Sequence, residues 1–206
     1  MSFGAPKNLV VLTADKDAKF AIESLIRRHA DLGIRPIEAD VVEHYLHDGA
    51  VLTKAHDFLR SYLKWDFSLV VFDREGCGRE RETREAIEQA VEDRLSRNGW
   101  DGRCRAVVMD PELESWVWDS TFQVHRILNW PGGAAGLQQW VEARGFASAG
   151  GKPQRPKEAL REALKYREMK STSAHFARLA QSFRFQQCHD PAFRKFLATL
   201  QGWFPL

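Results

Sequence analysis

Apolar residues follow two alternating patterns along this chain. Short unbroken runs rich in β-branched residues occur at Asn8-Leu9-Val10-Val11-Leu12-Thr13, Phe67-Ser68-Leu69-Val70-Val71-Phe72-Asp73 and Arg105-Ala106-Val107-Val108-Met109. Each predicts a strand buried on both faces. Between them the apolar spacing is helical. Val51, Leu52, Ala55, Phe58, Leu59, Tyr62 and Leu63 fall at i, i+1, i+4, i+7, i+8, i+11 and i+12, the stripe of a half-buried helix. Asp15 is placed to cap an earlier helix whose apolar face draws on Phe20, Ile22, Leu25 and Ile26, with Gly33 closing the unit. Another strand is expected within residues 34–42, where Pro36 blurs the boundary. A helix over residues 80–97 turns Ile87, Val91 and Leu95 inward and spaces Glu80 and Arg84, Arg81 and Glu85, and Arg84 and Glu88 for surface pairs, ending at Asn98-Gly99. Pro111 sits where a further helix is expected to begin, with Glu112 to Trp118 as its first turns.

Strands alternating with helices predict an α/β fold, a parallel sheet flanked by helices. After Trp130 the alternation stops. Pro131-Gly132-Gly133 and the polar stretch from Ser148 to Pro156 read as loops. The rest is helical in pattern, with Leu160 and Leu164 on one face and Phe193, Phe196, Leu197 and Leu200 on another. Two parts are therefore expected: an α/β domain over residues 1–130, and a helical, basic C-terminal region over residues 131–206 packed on it or appended to it.

The 206 residues carry a formal net charge of +2. No run of about 18 apolar residues occurs, and the opening MSFGAPKN lacks the basic-then-apolar layout of a secretory signal, so a cytoplasmic protein with no membrane partner is expected. Cys77, Cys104 and Cys188 are scattered without CxxC spacing and read as reduced thiols. The near-neutral total hides an asymmetry. Residues 1–150 carry 19 Lys+Arg and 24 Asp+Glu, a net of −5, whereas residues 151–206 carry 11 and 4, a net of +7. Such a division suits a protein that collects cations in one place and phosphates in another, and it serves equally as solubilising surface charge.

In open parallel sheets ligands bind beyond the carboxyl ends of the strands, and acids gather at those ends here. Asp15 and Asp17 follow the first strand, Asp73 and Glu75 end the third, and Asp110, Glu112 and Glu114 follow the fourth. If residues 73–75 stay extended, Asp73 and Glu75 project to one side and Arg74 to the other. Paired carboxylates suit Mg²⁺ or Mn²⁺, and Gly76 and Gly78 would let a phosphate backbone approach closely. Any one of these acids taken alone reads first as a helix cap or a solvated turn. It is their coincidence at three strand ends that points to a site. Glu114, set in an otherwise apolar turn, needs a cation or a donor if buried. His44, His47 and His56 form no metal motif, and GxSxG, GxxxxGK[ST] and GxGxxG are absent. Trp116 and Trp118 read as core.

The first apolar strand with Asp17, the run Leu69-Val70-Val71-Phe72-Asp73-Arg74-Glu75, and Pro111-Glu112-Leu113-Glu114-Ser115-Trp116 together resemble TOPRIM-like proteins of unknown function encoded beside bacterial defence genes. The likeness continues through Lys152-Pro153, Pro156-Lys157-Glu158-Ala159-Leu160, Tyr166 with Lys170, and Cys188-His189-Asp190-Pro191-Ala192-Phe193, so it spans most of the chain. It implies a Mg²⁺ or Mn²⁺ held by Asp73, Glu75, Glu114 and Asp17, and phosphodiester chemistry carried by Asp73, Glu75, Glu114 and Lys170. Lys152, Arg155, Lys157 and Lys170 would meet nucleic-acid phosphate. The family's first-motif glutamate is replaced by Thr13 and its following glycine by Ala14, and a hydroxyl cannot act as a general acid or base near pH 7. Two expectations follow. One is a Mg²⁺-dependent phosphodiesterase or nuclease component of an anti-phage system. The other is a non-catalytic accessory subunit that binds other defence proteins or nucleic acid. A tRNA- or nucleotide-directed enzyme is also compatible with the acids.

Overall fold

The computed structural model describes residues 7–45, 47–119, 124–146, 152–170, 172–182, 185 and 188–206. Four strands, β1 (Leu9–Thr13), β2 (Ala39–Glu43), β3 (Phe67–Asp73) and β4 (Cys104–Met109), pair in parallel in the order β2-β1-β3-β4. Parallel neighbours need crossovers, and helices supply them. α1 (Lys16–Ile26) and α2 (His29–Leu32) lead from β1 to β2. α3 (His47–Phe58), continued by a 3-10 turn at Leu59–Tyr62, leads to β3. α4 (Arg84–Leu95) and a π turn at Ser96–Trp100 lead to β4. The expected α/β architecture is therefore present.

Burial on both faces explains the unbroken apolar strand runs. Leu9, Val11, Leu69, Val71, Val107 and Met109 point into one core, and Val10, Leu12, Val70, Phe72, Ala106 and Val108 into the other, against α3 and α4. The chain goes on through α5 (Glu114–Asp119), α6 (Val124–Ile127), α7 (Gly133–Ala143), α8 (Pro156–Tyr166), α9 (Ser173–Ser182) and α10 (Pro191–Trp203). This helical C-terminal region shares the first core: Leu160, Phe176, Phe193, Phe196 and Leu200 are buried in the same cluster as Leu9 and Val11. α9 packs along α1, and α10 packs on β4. Asp190 Oδ1 accepts from the N–H groups of Ala192 and Phe193, capping α10, and also from Trp116 Nε1 at 3.0 Å, which ties α10 to α5. Cys77, Cys104 and Cys188 are buried. Among the described residues, no helix is long and apolar enough to cross a membrane.

Several local expectations give way to packing. Phe20 is 41% exposed instead of joining the α1 core face. β2 begins only at Ala39, because Pro36 cannot donate to a ladder. α4 begins at Arg84, capped by the Thr83 hydroxyl, so Glu80 and Arg81 precede the helix. Glu80 instead accepts from the N–H groups of Gly76 and Gly78. The Arg84–Glu88 pair forms, but Glu88 is buried. Its Oε1 accepts from Val108 N at 2.9 Å, Glu92 Oε1 accepts from Ala106 N at 2.9 Å, and Lys195 Nζ bridges the two carboxylates at 3.1 and 2.8 Å. The open edge of β4 is thus occupied by side chains, which blunts a free strand edge. Of the loop expected over 148–156, residues 148–151 lie outside the described residues.

Candidate metal centre

The strand order reverses between β1 and β3, and open parallel sheets bind ligands at such a switch point. β3 runs two residues beyond its pairing with Thr13, which carries Asp73 to the sheet's rim opposite Met109. Asp73 is fixed there from both sides. Its N–H donates to Asp48 Oδ1, and its Oδ1 accepts from Leu113 N, each at 2.9 Å. The loops after β3 and β4 are joined by Arg74 N to Met109 O and Glu75 N to Pro111 O, which brings Glu112 and Glu114 alongside Asp73. One oxygen from each of Asp73, Glu112 and Glu114 lies within 4.8 Å of the others, and all three residues are buried.

The first turn of α8 closes this group. Lys157 N donates to Glu112 Oε1 at 2.8 Å, and Lys157 Nζ stands 3.5 Å from Glu112 Oε2 and 3.9 Å from Asp73 Oδ2. A cleft of about 540 Å³ opens over Asp73 and Glu114, bounded also by Asp15, Asp17, His44, Tyr45, Lys157 and Arg161. The residues at its β1 end are set by local chemistry. Asp15 caps α1 by accepting from Ala18 N at 2.8 Å, and Asp17 follows in the first turn. Buried Thr13 keeps its hydroxyl within 3.2 Å of Val42 O and 3.3 Å of Asp15 O.

One ammonium faces more carboxylate than it can neutralise. Burial raises the Asp73 carboxyl well above the ordinary range, and the charges of Asp48 and Glu114 push the same way, against Lys157. Burial lifts Glu114 to about 7, with Lys157 opposing and Glu112 adding. Glu112 and Asp48 are raised too, chiefly by burial. Burial alone would lower Lys157, but Glu114, Asp73 and Glu112 outweigh it and its pKa rises. Buried carboxylates with this surplus of negative charge must hold protons or gain a cation. The donors are all oxygen, so the cluster fits a hard divalent ion.

Of the expected ligands, the structure brings Asp73 and Glu114 together. Asp17 stands half-buried on the cleft wall. Glu75 is exposed and outside the group, because strand geometry ends at Asp73 and a turn follows, with Gly76 at φ 84°. Arg74 leaves the acids for both Asp110 oxygens, at 3.0 Å, and Glu80 O at 2.7 Å. Among the four expected phosphate-binding cations, Lys157 lines the cleft. Lys152 stands 3.9 Å from Asp190, Arg155 pairs with Glu158 and covers the Phe146 ring, and Lys170 is exposed. His44 and His47 line the cleft without joining the group. Sequence reasoning gave no ligand role to Glu112 and no role to Asp48 or Arg161. Arg161 carried a signal in its i, i+4 spacing from Lys157, and Glu112 only in its place just after the fourth strand, since i, i+2 neighbours on a helix do not face each other. Asp48 had none, since its role depends on where α3 meets β3.

No family model matches this chain, nor does any curated protein or solved structure. What stands is a parallel α/β fold with a buried acidic triad that could hold a metal ion.

Proposed function

We propose that this protein is a Mg²⁺-dependent phosphodiesterase or nuclease of TOPRIM-like type, acting in the cytoplasm with other proteins of a bacterial anti-phage defence system. The convergence of Asp73, Glu112 and Glu114 at the sheet's rim carries this reading. A Mg²⁺ or Mn²⁺ held there would polarise a phosphoryl oxygen and acidify a bound water. Lys157 and Arg161, one helical turn apart on α8 and both facing the cleft, suit a phosphate. Lys157 also positions Glu112 through its own N–H. Asp17 and the exposed Glu75 are available as outer carboxylates, and Lys152, Arg155 and Lys170 as outer contacts to nucleic acid, which would make binding salt-sensitive.

Thr13 favours a second reading. Its hydroxyl sits against backbone carbonyls where the family places a glutamate, as suits a non-catalytic accessory subunit that binds a partner protein or nucleic acid. Purified protein separates the two. Mg²⁺-dependent cleavage of DNA or RNA, abolished by Asp73→Asn and by Glu114→Gln in folded protein, is expected of the enzyme. Absence of cleavage, with co-elution alongside neighbouring gene products that is indifferent to Asp73→Asn, would favour the subunit.

A further inference from the structure

The cleft wall also carries an aromatic side chain that the metal chemistry leaves unused. Tyr45 is 74% exposed and lines the same cleft as Asp73, Glu114, Lys157 and Arg161. A ring this exposed contributes little burial to the fold, yet it is held in place. It stacks on His44 at 4.9 Å between centroids and 12° between planes. His44 is buried, its N–H donates to Thr13 O at 2.8 Å, and its ring packs on Phe58 at 5.3 Å. Tyr45 is thus the open outer end of a column of rings anchored at the ends of β1 and β2. Such a fixed, solvent-facing ring beside a phosphate site is the arrangement that stacks nucleobases.

We infer that Tyr45 stacks a base of the substrate, and that the cleft takes single-stranded nucleic acid, its phosphate at the acids and Lys157 and its base on Tyr45. This rests on the phosphodiester reading above. A cleft of about 540 Å³ is on the scale of small-ligand sites, so it holds a nucleotide or two. Bases within a duplex are closed inside the stack and would reach the ring only by flipping out, at an unstacking cost that a single strand does not bear.

The test measures binding of a short single-stranded oligothymidylate, an abasic strand of equal length and charge, and a duplex. Wild type is expected to prefer the base-bearing single strand. Tyr45→Ala should weaken that binding by roughly 10- to 100-fold and leave the abasic strand unaffected. Tyr45→Phe should restore it, and Mn²⁺ affinity by calorimetry should be unchanged in both variants. Equal binding of the base-bearing strand by wild type and Tyr45→Ala, equal weakening of both single strands, or no preference of wild type for the base-bearing strand would each overturn the inference. Loss of Mn²⁺ binding in wild type with the Tyr45-dependent preference intact would overturn the metal reading and leave the stacking role standing.

Discussion

Lys157 meets Glu112 twice: its N–H donates to Oε1 at 2.8 Å, and its ammonium stands 3.5 Å from Oε2. The local N-cap of α8, Arg155, provides no capping side chain, so Glu112 supplies the acceptor from 45 residues away. The same carboxylate therefore docks α8 and belongs to the acidic group. Glu112→Ala should cost about 2 kcal/mol by urea unfolding, as loss of a charged acceptor to a helix's first turn does. Glu112→Gln keeps an acceptor and should cost less than half of that, while still weakening divalent-ion affinity.

Glu114 makes metal-free stability depend on pH in a defined direction. Its carboxyl titrates near 7 when folded against an ordinary 4.5. Between those values the native state holds a proton that the unfolded chain has lost, so stability falls as pH rises. The contribution is complete below about pH 4.5 and gone above about pH 7, with an upper bound of roughly 3 kcal/mol. Urea midpoints with a chelator present should show wild type losing ground to Glu114→Gln between pH 5 and pH 8. A constant difference across that window would mean that Glu114 is ionised throughout. Asp73, raised in the same direction, should give the same sign with Asp73→Asn.

Divalent ions should reverse that trend, since a ligating carboxylate must be ionised. Mn²⁺ affinity measured by calorimetry should rise from pH 6 to pH 8, with proton release that differs between buffers of different ionisation enthalpy. Affinity independent of pH would place the ion on surface acids instead.

Glu88 guards the β4 edge together with Glu92 and Lys195. Glu88→Ala leaves Val108 N without its acceptor, and should lower stability by about 3 kcal/mol and promote self-association visible by sedimentation. Glu88→Gln, which keeps the acceptor, should remain closer to wild type in both respects. A Glu88→Ala protein as stable and dispersed as wild type would deny the edge its protection.

The α/β layering was legible because strands buried on both faces must be apolar throughout, as Leu9 to Leu12 and Leu69 to Phe72 are. The cap at Asp15 and the stripe from Val51 to Leu59 were legible for similar local reasons. What stayed hidden depends on contacts distant in sequence. Glu88 looked like one half of an exposed helical pair, because nothing in α4 reveals that β4 lies beneath it. Glu75 looked like a partner of Asp73 only while the strand was imagined to continue, and the turn at Gly76 sends it to solvent. The Asp190-Pro191 segment, part of the family resemblance, serves α10 as a cap and Trp116 as an acceptor.

Crystals grown with Mn²⁺ give the most direct test of the acidic triad. Anomalous scattering should show one ion about 2.1 Å from an oxygen of each of Asp73, Glu112 and Glu114. Density elsewhere on the surface, or none at all while Lys157 still bridges Asp73 and Glu112, would contradict a shared divalent site.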